Sequence, residues 1–308
     1  MKFRTEISVP PSDFRISHAC TIAMQGSCFA ENMASKFTDA GFSIDINPFG
    51  IAYNPLSLSQ NLNRLLDNKP YSADELFKDN YIYHSFSHHS RFSGANPDEV
   101  LARINSRLEQ SSAFLGTANL LIITFGTAYV YRLQSTGRVV SNCHKQPDKL
   151  FSYKRLTVEE IVEQWNNLII RLQTINSSLR ILFTVSPIRH WKDGAHENQL
   201  SKSILLLSVE KLLRNHSHCY YFPAYELLLD DLRDYRYYAE DMLHPSSQAV
   251  DYIWEKFTDT YFDEDTVKKS KAFEKIRQSL NHIPFQPESE TYRQFREKAE
   301  AKLEALKE

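Results

Sequence analysis

The sequence predicts a doubly wound α/β domain built on a mostly parallel sheet. Three observations predict it. Short apolar, β-rich runs alternate with stretches whose apolar residues recur at helical spacing. The run Asn119–Phe125 is continuous rather than alternating in its apolar residues, as a strand buried on both faces requires. Each run stops at a glycine or just before a proline, where a chain can leave a strand.

Ala19–Gln25 is the first short apolar run and ends at Gly26. Phe29, Met33, Phe37 and Ala40 follow on one helical face, with Gly41 as the stop. Ser43–Ile46 leads into a turn-rich NPFG at 47–50. Leu58, Leu62, Leu65 and Leu66 suit one helix, and Asn96-Pro97-Asp98-Glu99 opens another carrying Val100, Ile104 and Leu108. The span 55–110 is too long for a simple crossover and is expected to be an inserted helical subdomain. NLLIITF at 119–125 is a buried parallel strand, and 129–141 predicts a hairpin turning around Ser135–Gly137. Thr157 and Glu160 form a capping box for a helix with Ile161, Trp165, Leu168 and Leu172. RILFTV at 180–185 is the next strand, Leu200–Leu213 the next helix and Cys219–Phe222 another strand. Ser246 caps a helix carrying Val250, Ile253, Trp254 and Phe257.

The expected division is therefore a domain over 1–262 and a charged helical extension over 263–308. Two helical segments of the extension are expected to be split by Pro284 and Pro287. Tyr292, Phe295, Ala299, Leu303 and Leu306 form a stripe that would pack on the domain or join two copies as a homodimer.

Composition excludes several function classes. Of 308 residues, 42% are hydrophobic and 24% charged, which fits a globular core and not a disordered chain. The net charge of −2 and scattered lysines argue against nucleic-acid binding through basic patches. No run is long and apolar enough for a membrane span, and the N-terminus has no apolar signal region. Cysteines 20, 28, 143 and 219 form no C-x-x-C pair, so reduced thiols in the cytoplasm are expected. His84, His88, His89 and Cys143-His144 match no metal-site spacing, and phosphate-binding glycine loops are absent, so neither a metal nor a cofactor is expected. Only 8 residues are glycine, so each glycine carries more information than usual.

Sites of open α/β sheets lie beyond the carboxyl ends of the strands. Three such ends carry unusual residues: Gly26-Ser27-Cys28-Phe29-Ala30, Gly126-Thr127-Ala128-Tyr129, and the Asp241-Met242-Leu243-His244-Pro245 turn. A nucleophile at the first would be exposed by the sharp turn, where a helix N-terminus favours a thiolate or an oxyanion. Asp241 and His244 are three residues apart, so the carboxylate can fix one ring nitrogen and leave the other as a base. As plain structure, Cys28 would pack as a small hydrophobe and Asp241 would be a capping residue.

These residues, with NPFGIAYNP (47–55), TFGTAYVYR (124–132), NCHK (142–145), SPIRH (186–190) and DLRDYRYYAEDMLHPS (231–246), resemble the GSCFA family, usually placed in the SGNH (GDSL-type) esterase superfamily. The resemblance spans roughly 1–260. It implies a flavodoxin-like three-layer sandwich with a five-stranded sheet. It also implies a hydrolase that cleaves an ester or thioester of a small molecule or glycan through an acyl-enzyme. Position for position, Gly-Asp-Ser-Leu aligns Cys28 with the nucleophile; a shift of one residue would make it Ser27 instead. Asp241 and His244 take the acid and base positions of Asp-x-x-His-Pro. Gly50 would lend an oxyanion N–H. Ala128 stands where the superfamily has its oxyanion asparagine, so Thr127 or Asn142 would have to substitute. His144, Lys145, Arg189 and His190 would line the substrate pocket. An acyltransferase to a sugar or other hydroxyl, and a non-catalytic glycan- or acyl-binding protein, are the alternatives.

Overall fold

A computed structural model describes residues 4–281, 285 and 289–307. Its central sheet is built from β1 (Thr21–Gly26), β2 (Ser43–Ile46), β5 (Leu120–Phe125), β9 (Arg180–Val185) and β10 (Cys219–Tyr221). The order is β10-β9-β5-β1-β2, and every neighbouring pair is parallel. The doubly wound α/β expectation is met, with five strands in the sheet.

Successive residues of the middle strand feed opposite cores. Leu121, Ile123 and Phe125 join one apolar cluster with α2 (Pro55–Asp67), α3 (Pro97–Thr117), α4 (Val158–Ile175) and α5 (Gly194–Asn215). Leu120 and Ile122 join the other, with α1 (Cys28–Asp39) and α7 (Ser247–Tyr261). A strand with both faces covered has no polar side, which is why NLLIITF reads as a continuous apolar run. Asn54, Asn96, Thr157 and Ser246 cap α2, α3, α4 and α7, each accepting a backbone N–H from the first turn.

The stretch 55–110 differs from the expectation of a helical subdomain. Between α2 and α3 it carries an antiparallel hairpin of β3 (Phe77–Asp79) and β4 (Ile82–His84). Both helices bury their apolar residues in the cluster shared with the main sheet, so no separate core forms there. The expected hairpin of β6 (Tyr129–Leu133) and β7 (Val139–Val140) gains a third strand, β8 (Phe151–Arg155), outside the expected elements. The short helix α6 (Ala224–Glu226) follows β10. Helices α8 (Glu264–Asn281) and α9 (Glu290–Lys307) pack on each other, and Phe273 of α8 is buried against His18 and Gly41. In α9, Ala299 is buried while Phe295 is exposed. Pro284 and Pro287 lie outside the described residues. No helix among the described residues is long and apolar enough to cross a membrane.

The parallel order puts the carboxyl ends of β1, β5, β9 and β10 along one edge. The residues with candidate chemistry leave the sheet there.

Candidate functional site

Gly26 ends β1 because nothing larger fits. A Cβ at this position would lie 2.6 Å from Thr124 Cβ on the adjacent strand. The chain turns at once into α1, with Ser27 as N-cap and Cys28 as the first helical residue. The two candidate nucleophiles then part company. Ser27 is 2% exposed, and its hydroxyl is buried with no hydrogen-bond partner in the described structure. Cys28 is half-buried, and its Sγ lies 3.7 Å from the Tyr53 hydroxyl oxygen.

Tyr53 belongs to the segment between β2 and α2, and it is pinned from several sides. Its carbonyl accepts N–H bonds from Gly126 (2.7 Å) and Thr127 (3.0 Å) at the end of β5. Ala52 N–H donates to Gly26 O at 3.3 Å, tying the segment to the nucleophile turn. Burial first, and the nearby Cys28 next, raise the Tyr53 phenol above its ordinary range, so its proton is retained. Its ring meets His190 edge-on, 5.4 Å between centroids.

His190, expected in the substrate pocket, is placed beside this pair. Its N–H donates to Asn198 Oδ1 at 2.9 Å, and the Asn198 amide nitrogen is buried without a partner among the described residues. Burial, then Lys202, and also His244 hold the His190 ring down to about 4. His88, buried in the hydrophobic core, is held down to about 3, mainly by burial and then by Arg64. Both rings therefore refuse a proton that the unfolded chain, with an ordinary value of 6.5, accepts. Their contribution is fully present above pH 6.5 and is lost as pH falls toward 4. Inside that window each ring is expected to cost about 1.4 kcal/mol per pH unit. Urea unfolding between neutral and mildly acidic pH checks this, and replacing His88 by a neutral residue should flatten the slope.

Asp241 and His244 form the pair expected from their spacing. Asp241 Oδ1 accepts the N–H groups of Leu243 and His244, both at 2.9 Å, and Oδ2 lies 2.5 Å from His244 Nδ1. The His244 amide first, then that of Leu243, hold the Asp241 carboxyl at about 2, so it is ionised. Met242 between them takes φ +58°, a left-handed backbone that turns both side chains to one side. The pair is half-exposed. Among the described residues, no hydrogen bond joins the His244 ring to the Cys28 sulfur. Tyr53 contacts both the Cys28 sulfur and the His190 ring, and His190 lies near enough to His244 for an electrostatic effect.

The backbone N–H groups of Gly50 and Thr127 are engaged elsewhere. Gly50 N–H donates to Asn47 O at 2.8 Å. Thr127 spends its N–H on Tyr53, and its hydroxyl lies 3.2 Å from the Ser201 hydroxyl. Asn142 Oδ1 accepts the His144 N–H at 2.8 Å. The bonds at Gly50 and Asn142 close tight turns, and those of Thr127 tie distant segments together, uses that spacing alone cannot separate from catalysis. His144 is also withdrawn from a substrate role: its ring is buried, with Nε2 2.8 Å from Ser85 O and Nδ1 3.2 Å from the Ser90 hydroxyl. Lys145 is exposed beyond it. Arg189 lies near enough to Lys202 and Tyr225 to act on both electrostatically. No group of three or more His, Cys, Asp or Glu among the described residues is arranged to hold a metal.

Two further residues matter at this edge. Tyr53 lies in NPFGIAYNP, and the sequence marks it only as an aromatic side chain that could line a pocket for a sugar or acyl chain; Lys202 carries no such mark. Lys202 is fully buried, and its Nζ donates to Gly126 O and Ser186 O, both at 2.6 Å. The signal was present: Lys202, Leu205, Val209 and Leu212 share one helix stripe, and a lysine on an apolar stripe needs buried acceptors.

Against known proteins, the model of the GSCFA family matches residues 21–257, and that of the GSCFA domain protein C-terminal domain matches 273–308. No curated protein matches the chain. Among solved structures it is similar to a family 3 carbohydrate esterase of Clostridium thermocellum, at 11% identity over 82% of this chain and 98% of that one, with a TM-score of 0.37. It is likewise similar to a family 3 carbohydrate esterase from Talaromyces cellulolyticus, at 7% identity over 82% and 98% of the two chains, with a TM-score of 0.36.

Proposed function

The chain belongs to the GSCFA family, and from that premise we propose that it cleaves an ester or thioester of a small molecule or glycan through an acyl-enzyme on Cys28. The observation that carries this is the contrast at the first turn of α1. Cys28 is only half-buried and its sulfur faces a phenol, whereas the Ser27 hydroxyl is buried.

His244, oriented by Asp241, takes the thiol proton as the sulfur bonds to the substrate carbonyl carbon. The carbonyl opens to an oxyanion, which collapses and breaks the bond to the leaving alcohol or thiol; His244 returns the proton to that group. Water, deprotonated by His244, then attacks the thioester and releases the acid and the free thiol. The step requires the His244 ring to reach the Cys28 sulfur in the substrate complex, where catalytic hydrogen bonds often first form.

Trapping tests this. After brief exposure to p-nitrophenyl acetate and an acid quench, mass spectrometry of peptides is expected to place the acetyl group on Cys28. Burial pushes the Cys143 thiol up to about 11 and Cys219 up to about 12, so both should stay unmodified. Ser27→Ala should keep the adduct and Cys28→Ala should lose it. Unchanged ester turnover in Cys28→Ala would sink the proposal.

A further inference from the structure

We infer that the Tyr53 hydroxyl is the oxyanion donor of this site, taking over the role left empty by Ala128. The inference rests on the acyl-enzyme proposed on Cys28.

A donor beside the nucleophilic sulfur is also beside the carbonyl oxygen, because that oxygen sits one bond beyond the carbon being attacked. Tyr53 is the side chain so placed, with its hydroxyl oxygen 3.7 Å from Sγ. Oxyanion stabilisation depends on donors fixed before the charge forms, and Tyr53 is fixed at both ends. Its main chain is held by the N–H groups of Gly126 and Thr127 and flanked by the Asn54 cap of α2. Its ring is held edge-on to His190. Gly126 permits this approach, since a Cβ there would lie 3.0 Å from the Tyr53 carbonyl oxygen. Ala128 is fully buried, with its N–H bonded to Ser201 Oγ at 2.7 Å, so it offers the site nothing. The Gly-Thr-Ala stretch thus grips the backbone of Tyr53 instead of presenting a carboxamide. The phenol keeps its proton and can donate it. When the sulfur attacks, the carbonyl π pair moves onto oxygen, and the phenol O–H hydrogen-bonds that oxygen without transferring the proton.

The experiment uses the full chain and two reactions of one sulfur. Single-turnover acetylation by p-nitrophenyl acetate passes through an oxyanion; alkylation by iodoacetamide displaces iodide and does not. Tyr53→Phe is expected to slow acetylation by about 10²–10³, the effect of losing one oxyanion donor, while alkylation changes by less than about threefold. Acetylation within about threefold of the parent overturns the inference, and so does a parallel fall in alkylation, which would place the phenol on the sulfur instead. Cys28→Ala separates the two claims. If it is acetylated and turns over like the parent, the acyl-enzyme fails and the inference with it. If Cys28 is required and Tyr53→Phe is silent, only the inference fails. Unchanged circular dichroism and thermal midpoint establish that Tyr53→Phe is folded.

Discussion

Alanine in place of His244 is expected to lower ester turnover by about 10²–10⁴, the range for losing a positioned general base. The physical reason is local. Asp241 is ionised, and its two oxygens are divided between backbone amides and the His244 ring. The imidazole is therefore held with Nδ1 toward the carboxylate, and among the described residues Nε2 has no hydrogen-bond partner. The loss should fall on kcat and kcat/KM together, because the proton moves only in the transition state. Asp241→Asn should do less harm than His244→Ala, since an amide oxygen can still accept the two backbone N–H groups while the ring loses its charged partner. Steady-state rates on a p-nitrophenyl ester decide the matter. Activity within about tenfold of the parent in His244→Ala, with collapse in His190→Ala, would move the base to His190, the ring in contact with Tyr53.

Lys202→Met is expected to destabilise the fold by about 2–5 kcal/mol, because it leaves two buried carbonyl oxygens without a donor. Methionine fills similar volume, so the cost is that of the lost hydrogen bonds and not of a cavity. Those oxygens belong to Gly126 and Ser186, the first residues beyond β5 and β9. One loop grips Tyr53 and the other leads to His190, so the same variant should also slow catalysis. The pH dependence identifies the mechanism. Burial first, and Arg189 next, push the Lys202 amine down to about 7 from an ordinary 10.5. A neutral amine carries two protons, matching the two carbonyls it serves. Between pH 7 and 10.5 the unfolded chain holds a proton that the native chain has released, so native stability rises with pH across that window. Lys202→Met lacks this group, and the gap between it and the parent should widen from neutral to alkaline pH in urea unfolding. A constant gap would mean that the buried amine keeps its charge.

Much of the fold was legible because its signals are local. Apart from Asn119, Arg180 and the two threonines, NLLIITF and RILFTV are apolar without alternation, as strands covered on both faces are. Asn96, Thr157 and Ser246 mark helix starts through bonds to residues two or three positions on. The hairpin of β3 and β4 was not legible: each strand is three residues long, with polar or half-buried residues and no strong period. At the candidate site, Asp241 and His244 could be paired from their spacing, since one tight turn brings them together. The donors assigned to Gly50, Thr127 and Asn142 could not be checked that way. A polar group in a turn either faces a substrate or closes the turn, and sequence does not say which.

By itself the sequence determined the α/β class, the cysteine at the first strand end and the Asp241–His244 pair, because each depends on residues within a few positions of one another. Only the tertiary structure decided what faces the Cys28 sulfur and what lies buried at the strand ends. Tyr53, Gly126 and His190 meet because the order β10-β9-β5-β1-β2 brings the exit loops of β2, β5 and β9 to one edge of the sheet, where Lys202 of α5 reaches the loops after β5 and β9. Contacts between loops so far apart in the chain are set by strand pairing and by the burial of both sheet faces, which no local pattern encodes.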